Sequence, residues 1–150
     1  MGKACGVGKS ADRTWKPMKN QISGKRKVLV VDDDPLVRAV FCRMVEFVGF
    51  EALRAETGLE ALEMFKTHSD AIDIVFVDFI MPGMNGEEVM RSIRSIQEDA
   101  RIVLSSGYHD SVIQSPVDSA EGKGFDAFLN KPFRLDELRS VIQYVLADGQ

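Results

Sequence analysis

The sequence has few cysteines and no long apolar segment. Cys5 and Cys42 are its only two cysteines, and their spacing does not suggest a metal site or a disulfide framework. No apolar run approaches the roughly 20 residues that a membrane-spanning helix needs. The basic start has no apolar stretch between its charges, which argues against a secretory signal. These absences favour a protein of the reducing cytoplasm with no membrane partner.

The sequence also lacks an even distribution of charge. Residues 1–27 carry eight Lys/Arg and one Asp, whereas the rest carries eleven Lys/Arg and twenty-two Asp/Glu. Residues 1–24 show no hydrophobic periodicity, so we predict a basic flexible arm there and one folded domain over residues 25–150. A basic arm can contact nucleic acid or anionic lipid, but a solvated tail is the more common role. We expect no nucleic-acid binding by the folded domain.

From residue 26 onward, short apolar runs alternate with amphipathic segments. We predict strands at 27–31, 51–55, 73–77, 101–105 and 125–129, and helices at about 35–48, after 57–60, after 86, near His109 and at about 134–147. Pro116 interrupts the fourth predicted helix, so we expect residues 110–124 to be the most mobile part of the domain. Near-continuous apolar strands joined by helices indicate a parallel sheet covered on both faces.

The apolar spacing also predicts how the first helices begin and which sides face the core. In the first helix, i+4 steps place a stripe toward the core: Leu36, Val40, Met44 and Val48, widened by Val37, Phe41 and Val45. Asp34 is a suitable N-cap for this helix, and the segment from Thr57 to Glu60 has the pattern of a capping box. Cys42 is expected to be a core or partly buried thiol.

Polar side chains follow four of the apolar runs. Asp32 and Asp33 follow the first strand, Asp78 the third, Ser106 the fourth and Lys131 the fifth. Because the carboxyl ends of parallel strands share one edge of the sheet, these side chains are expected to lie together. Three neighbouring carboxylates repel one another, and carboxylate oxygens are ligands that divalent cations prefer. The residues alone therefore predict a divalent cation beside a lysine.

The residues at these strand ends belong to four motifs. They are Val-Val-Asp-Asp-Asp-Pro at 30–35, Val-Asp-Phe-Ile-Met-Pro-Gly-Met-Asn-Gly at 77–86, Ser-Ser-Gly-Tyr at 105–108 and Asn-Lys-Pro-Phe at 130–133. In order and spacing they resemble the receiver domain of two-component response regulators, over about residues 26–147. The resemblance implies an α/β fold of the flavodoxin-like type: a three-layer (βα)5 sandwich with a five-stranded parallel sheet in the order 2-1-3-4-5.

The resemblance also implies a phosphoacceptor and its metal. Asp78 matches the phosphorylated aspartate of the family, and Asp32 and Asp33 match its metal-binding acids. Mg²⁺ would be held by Asp33, Asp78 and the backbone carbonyl of Ile80, with Asp32 acting through a metal-bound water. The bond between Lys131 and Pro132 is expected to be cis, as in the family.

Other positions match residues that bind the phosphoryl group or respond to it. Ser106 corresponds to the switch hydroxyl, Lys131 to the lysine that contacts the phosphoryl oxygens and Phe128 to the switch aromatic. Ile80 and Tyr108 lie two residues beyond the phosphoacceptor and the switch hydroxyl. We expect their bulk at the mouth of the site to exclude water and slow dephosphorylation.

The function that follows is a switch in a two-component phosphorelay. A sensor histidine kinase would donate the phosphoryl group, and the domain would catalyse only its own phosphorylation and dephosphorylation, so we expect no enzyme with turnover. The signal would leave through the face formed by the fourth predicted helix, the fifth strand and the last helix. No output domain follows, so an unknown downstream protein is expected to receive it, unless the chain is a fragment of a hybrid kinase or a larger regulator.

Two other classes of function can be weighed against the switch. A phosphorylation-independent interaction module would have no reason to keep three crowded carboxylates. An aspartyl-phosphate phosphatase of the haloacid dehalogenase type needs Asp-x-Asp followed by Gly-Thr or similar. Here Pro35 and Leu36 follow Asp34, and no residues remain to build a cap domain.

Overall fold

The computed structural model describes residues 26–106 and 124–148. The strands are β1 (Lys27–Val31), β2 (Glu51–Ala55), β3 (Ile72–Asp78), β4 (Ile102–Ser106) and β5 (Ala127–Asn130), and the helices are α1 (Pro35–Phe47), α2 (Gly58–His68), α3 (Gly86–Ile96) and α4 (Leu135–Asp148). The predicted strands are all present, and α4 is the last predicted helix. The arm over 1–24, Tyr108 and the helix predicted near His109 lie outside the described residues, as does most of the segment 110–124.

The five strands form one parallel sheet in the order β2-β1-β3-β4-β5, which confirms the predicted fold. β1 is central among the first three strands, and its last residue, Val31, pairs with Ala55 of β2 and Val77 of β3. Asp78 pairs with Ser105 of β4. The carboxyl ends of β1, β3 and β4 therefore lie side by side. None of the helices in the described ranges is long and apolar enough to cross a membrane.

Helices cover both faces of the sheet, so the domain has three layers. Alternate residues of β1, β3 and β4 point to opposite faces and form two apolar clusters. One cluster packs against α2 and α3 and contains Leu29, Val31, Val75, Val77, Phe65 and Ile93. The other packs against α1 and α4 and contains Val28, Val30, Ile74, Phe76, Phe41 and Leu138.

The core-facing side of α1 differs from the prediction. Leu36 and Val40 are 71% and 52% exposed, whereas Phe41, Cys42 and Val45 are buried. α1 is apolar around much of its circumference, so spacing alone does not decide which side faces the sheet. The ring of Phe41 decides it, because it packs between the rings of Phe76 and Phe133, with centroid distances of 5.0 and 4.8 Å.

The buried thiol of Cys42 agrees with the prediction, whereas the end of α3 does not. Burial raises the pKa of the Cys42 thiol, which keeps it protonated and unreactive. The apolar spacing of Val89, Ile93 and Ile96 predicts that all three face inward, but Ile96 is 40% exposed because it is the last residue of α3.

Three helices begin directly after loops at the carboxyl edge of the sheet, and side-chain caps fix their starts. Asp34 caps α1, Thr57 caps α2 and Asn85 caps α3. The capping box predicted at Thr57 forms only in part, because the Glu60 carboxylate accepts from the amide of Glu56 instead of that of Thr57. A complete capping box is present at α3.

Candidate functional site

Three carboxylates meet at the carboxyl edge of the sheet. Oxygen atoms of Asp32, Asp33 and Asp78 all lie within 4.8 Å of one another. The pairing of Val31 with Val77 explains this, because it places the residues after β1 beside the end of β3. Asp32 is fully buried, Asp78 is partly buried and Asp33 is exposed. The structure thus brings together the three acids that the sequence placed at strand ends.

Lys131 reaches two of these acids from the loop after β5. Its Nζ donates to Asp32 Oδ2 at 2.7 Å and to Asp78 Oδ1 at 3.1 Å. The bond between Lys131 and Pro132 is cis, as predicted. The backbone amide of Lys131 also donates to the carbonyl of Ser106 at 2.7 Å, so this loop begins against the end of β4.

The protonation equilibria reflect a site with more negative than positive charge. Burial raises the pKa of Asp78 above its usual range, and the neighbouring Asp32 carboxylate adds to this against the opposing charge of Lys131. Burial acts to lower the pKa of Lys131, but the hydrogen bond to Asp32 and the charge of Asp78 outweigh it and raise that pKa. Among the described residues, the cluster thus combines three carboxyl groups with one ammonium, which contacts Asp32 and Asp78.

The donor set fits a magnesium ion. Within the described parts of the chain, the carboxylate of Asp33 has no hydrogen-bond partner, so its oxygens are free to bind a cation. Asp32 Oδ1 is already engaged by the amide of Asp34 at 3.0 Å, and Asp32 Oδ2 by Lys131. Clustered carboxylates with hard oxygen donors are what Mg²⁺ requires. Asp33 and Asp78 are the better candidates for direct contact with the ion.

The remaining predicted site residues surround this cluster at different depths. Ser106 is buried at the end of β4, next to Ser105, which pairs with Asp78. Phe128 lies on the edge strand β5 and is 37% exposed. Ile80, two residues beyond Asp78, is 70% exposed. Tyr108 falls outside the residues that the structure describes.

Sequence reasoning missed one side chain that touches the site. Arg38, on α1, donates from a guanidinium nitrogen to the backbone carbonyl of Asp32 at 2.7 Å. This bond ties the turn after β1 to the first helix. Arg38 lies six residues beyond Asp32 and belongs to no metal-binding or catalytic motif. The contact becomes evident only from the direction in which α1 leaves β1.

The fold and this strand-end cluster define a class of protein, a doubly wound domain with an acidic pocket and a lysine at the carboxyl edge of its sheet. Residues 28–143 match the response regulator receiver domain family. The chain belongs to this family.

Relatives of known name support the assignment. The chain is 38% identical over 120 residues to the response regulator MprA of Mycobacterium ulcerans, covering 80% of this chain and 50% of that protein. It is 32% identical over 127 residues to the sensor kinase CckA of Brucella abortus, covering 83% of this chain and 13% of that protein. The chain thus spans half or less of the length of these curated relatives.

Solved structures show the same fold. The response regulator TrrA of Thermotoga maritima, in complex with Mg²⁺ and BeF, superposes with a TM-score of 0.67 at 34% identity, covering 80% of this chain and 98% of that one. The chemotaxis protein CheY4 of Vibrio cholerae superposes with a TM-score of 0.71 at 26% identity, covering 81% and 99%.

Proposed function

We propose that the domain is the phosphoacceptor switch of a two-component phosphorelay and that Asp78 receives the phosphoryl group from a sensor histidine kinase. The observation that carries the proposal is the contact of Lys131 with both Asp32 and Asp78 inside a cluster of three acids. Membership of the receiver family supports it, as does the likeness to a response regulator and to part of a sensor kinase.

Phosphoryl transfer requires the protein mainly to position the reacting groups and to neutralise charge. A carboxylate oxygen of Asp78 attacks phosphorus as the bond from phosphorus to the donor histidine nitrogen breaks, so one P–O bond replaces one P–N bond. The ammonium of Lys131 donates a hydrogen bond to the other oxygen, Oδ1, and so orients the carboxylate. Asp33, Asp78 and the Ile80 carbonyl would hold Mg²⁺, with Asp32 as an indirect ligand, and the bound ion would supply positive charge to neutralise the phosphoryl oxygens.

The response to phosphorylation rests on the same residues. The phosphoryl group carries a charge of about −1.5 to −2 in place of the single charge of the Asp78 carboxylate. This larger charge attracts the ammonium of Lys131, and its oxygens can accept a hydrogen bond from the hydroxyl of Ser106. Movement of Ser106 would leave space into which the partly exposed ring of Phe128 turns. The face around β5 and α4 would then present a different surface to a downstream protein.

Two expectations from the sequence belong to the same proposal. The domain modifies only itself, so it has no turnover on an external product. The kinase and the downstream protein bind the folded domain as proteins, without nucleic acid, and they meet it in the cytoplasm.

The test is labelling with acetyl phosphate in the presence and absence of Mg²⁺. We expect one phosphoryl group per chain, dependent on Mg²⁺, stable in acid and labile in base, with peptide mapping to Asp78. Asp78→Asn should remain unlabelled. Asp34→Asn is the matched control, since Asn caps a helix as well as Asp does and position 34 lies outside the proposed metal ligands. Labelling of Asp78→Asn, or continuous release of phosphate with no phosphoprotein, would refute the proposal.

A further inference from the structure

The start of α3 lies closer to the backbone of Asp78 than any side chain would permit. A Cβ atom placed on Gly86 would lie 2.7 Å from the carbonyl oxygen of Asp78 and 2.9 Å from the Cα of Phe79. Real Cβ atoms essentially never approach other atoms within 3.0 Å. Both neighbours are backbone atoms, which cannot rotate away as the end of a long side chain can. A side chain at position 86 would therefore require the backbone to shift.

Backbone conformation is not the reason for this glycine. Gly86 is the first residue of α3, and among the described glycines the left-handed region is occupied by Gly49 and Gly83. An alanine at position 86 would improve the helix propensity of α3. The need for glycine is thus steric, and it arises from the approach of α3 to the strand end that carries Asp78.

The contact is also fixed from both sides. The amide of Gly86 donates to the carbonyl of Phe79 at 2.9 Å, which joins the helix start to the loop. On the helix side, the Asn85 capping box closes the first turn, and Val89 and Ile93 are fully buried in the core. Both partners are therefore held, since β3 is paired with β1 as far as Val77 and with β4 as far as Asp78. A side chain at position 86 would strain the last paired residue, Asp78, and the loop that follows it, where pairing no longer holds the backbone.

We propose that Gly86 is a positioning residue for the phosphoacceptor. By letting α3 pack directly on the backbone of Asp78 and Phe79, it sets where the Asp78 carboxylate and the following Ile80 carbonyl lie. Both groups are ligands in the proposed Mg²⁺ site, so the inference rests on the proposed function. A displaced backbone would move two of the ligands at once while leaving Asp32 and Asp33, which follow β1, in place.

Gly86→Ala tests the inference, and Gly49→Ala is the matched control. Gly49 has a φ of +105° and nothing within 4 Å of an added Cβ, so alanine there strains the backbone at the far end of α1 without crowding the site. Titration calorimetry with Mg²⁺ alone measures the dissociation constant of each protein. Labelling with acetyl phosphate over a range of Mg²⁺ concentrations then separates metal binding from the rate at saturation.

We expect Gly86→Ala to weaken Mg²⁺ binding by about tenfold or more, the range seen when groups that orient metal ligands are removed, and to lower the labelling rate most at limiting Mg²⁺. Gly49→Ala should lose stability but bind Mg²⁺ within about twofold of wild type, since its ligands are untouched. Equal Mg²⁺ binding by folded Gly86→Ala and wild type would overturn the inference.

Folding of the variants is checked by circular dichroism. If Gly86→Ala is unfolded in buffer, all three proteins are compared in trimethylamine N-oxide, which favours the compact state. A variant that stays unfolded there would also overturn the inference, because the glycine would then serve folding and not ligand position. Wild-type protein that neither binds Mg²⁺ nor takes up phosphate would instead refute the proposed function.

Discussion

Asp78 carries its charge in a place that disfavours it. The carboxylate is partly buried beside Asp32, and one ammonium, that of Lys131, is shared between the two. A carboxyl group held this way is a poor contributor to stability when ionised, but it is well placed to gain from an incoming cation. The cost in the free protein and the proposed affinity for a metal have the same physical origin.

The first prediction concerns Asp78→Asn in the presence of a chelator. The fold raises the pKa of Asp78 above its usual value of 3.8, so the protonated form is favoured in the folded protein. The contribution of this carboxyl group to the free energy of unfolding is therefore fully present below its pKa in the unfolded state. It is lost as the pH rises through its pKa in the folded state. We expect Asp78→Asn to be more stable than wild type at pH 7 and to lose this advantage below pH 3.8. Urea unfolding at several pH values measures it.

Asp34→Asn serves as the control for this comparison, since it removes an exposed acid that caps α1. Its stability relative to wild type should not follow the same pH profile. An advantage of Asp78→Asn that grows toward acid pH would show that the carboxylate of Asp78 is stabilised, not disfavoured, by the fold.

The second prediction concerns the lifetime of the phosphorylated state. Ile80 is 70% exposed, two residues beyond Asp78, and its branched apolar side chain cannot orient an attacking water. We expect slow loss of the phosphoryl group in wild type and faster loss in Ile80→Asn, where an amide can bind that water. A tenfold change would correspond to about 1.4 kcal/mol in the barrier.

Decay of phosphoprotein after removal of acetyl phosphate, in excess Mg²⁺, gives the rate. Ile96→Asn is the matched control, because it changes an exposed isoleucine that is the last residue of α3, away from the loop that carries Ile80. If Ile80→Asn decays no faster than the control, Ile80 does not govern access of water.

At the scale of single residues, the sequence predicted which side chains lie together at the site, but not the contacts that fix their positions. Asp32, Asp78 and Lys131 were predictable because each follows an apolar strand, and parallel strands end at one edge. The contact of Arg38 with a carbonyl and the close approach of Gly86 were not, since both depend on distances between backbone segments that residue patterns do not record.

Among the elements, the first residues of helices were predicted better than the sides of helices that face the core. Asp34 and Thr57 act as caps where local chemistry predicted them, because a cap depends on residues within one turn. The buried side of α1 depends instead on a distant partner, the ring of Phe76 in β3. Short-range interactions such as caps can be predicted from the sequence. Which of two apolar sides of a helix is buried depends on its packing against the sheet, which the sequence pattern does not show.

The third prediction tests the cap of α2. The hydroxyl of Thr57 accepts from the amide of Glu60 at 3.0 Å, which satisfies one free donor at the helix start. Thr57→Ala should lower the free energy of unfolding by about 1 kcal/mol. Urea unfolding at neutral pH measures the change.

Thr67→Ala, in the last turn of the same helix, is the control. Its side chain is exposed and bonds only to the carbonyl of Glu63 among the described residues, so alanine should be neutral or slightly stabilising. Equal losses from both threonines would mean that capping contributes nothing measurable at Thr57.

For the molecule as a whole, the acid cluster joins β1 to β3, so a bound cation should stabilise the entire domain. Asp33 and Asp78 repel each other in the free protein and would share one cation in the proposed Mg²⁺ site. Any ligand that binds only the folded state raises the free energy of unfolding by mass action. Metal binding and global stability are therefore linked.

The fourth prediction follows from this linkage. At a Mg²⁺ concentration a hundred times its dissociation constant, the free energy of unfolding should rise by about 2.7 kcal/mol. Asp33→Ala should abolish the increase and be no less stable than wild type without metal. Glu63→Ala, which removes an exposed acid on α2, should keep the full increase. An increase in Asp33→Ala equal to that of wild type would exclude Asp33 as a ligand.

The positions of the strands along the chain also determine the order in which the residues of the site are synthesised. β1, β2 and β3 are neighbours in the sheet and are complete once Asp78 has been made, whereas Lys131 comes 53 residues later. At about 10 residues per second, translation separates the two by several seconds. The three acids are thus synthesised several seconds before their lysine, and because a domain folds as a unit they come together only after Lys131 has been made.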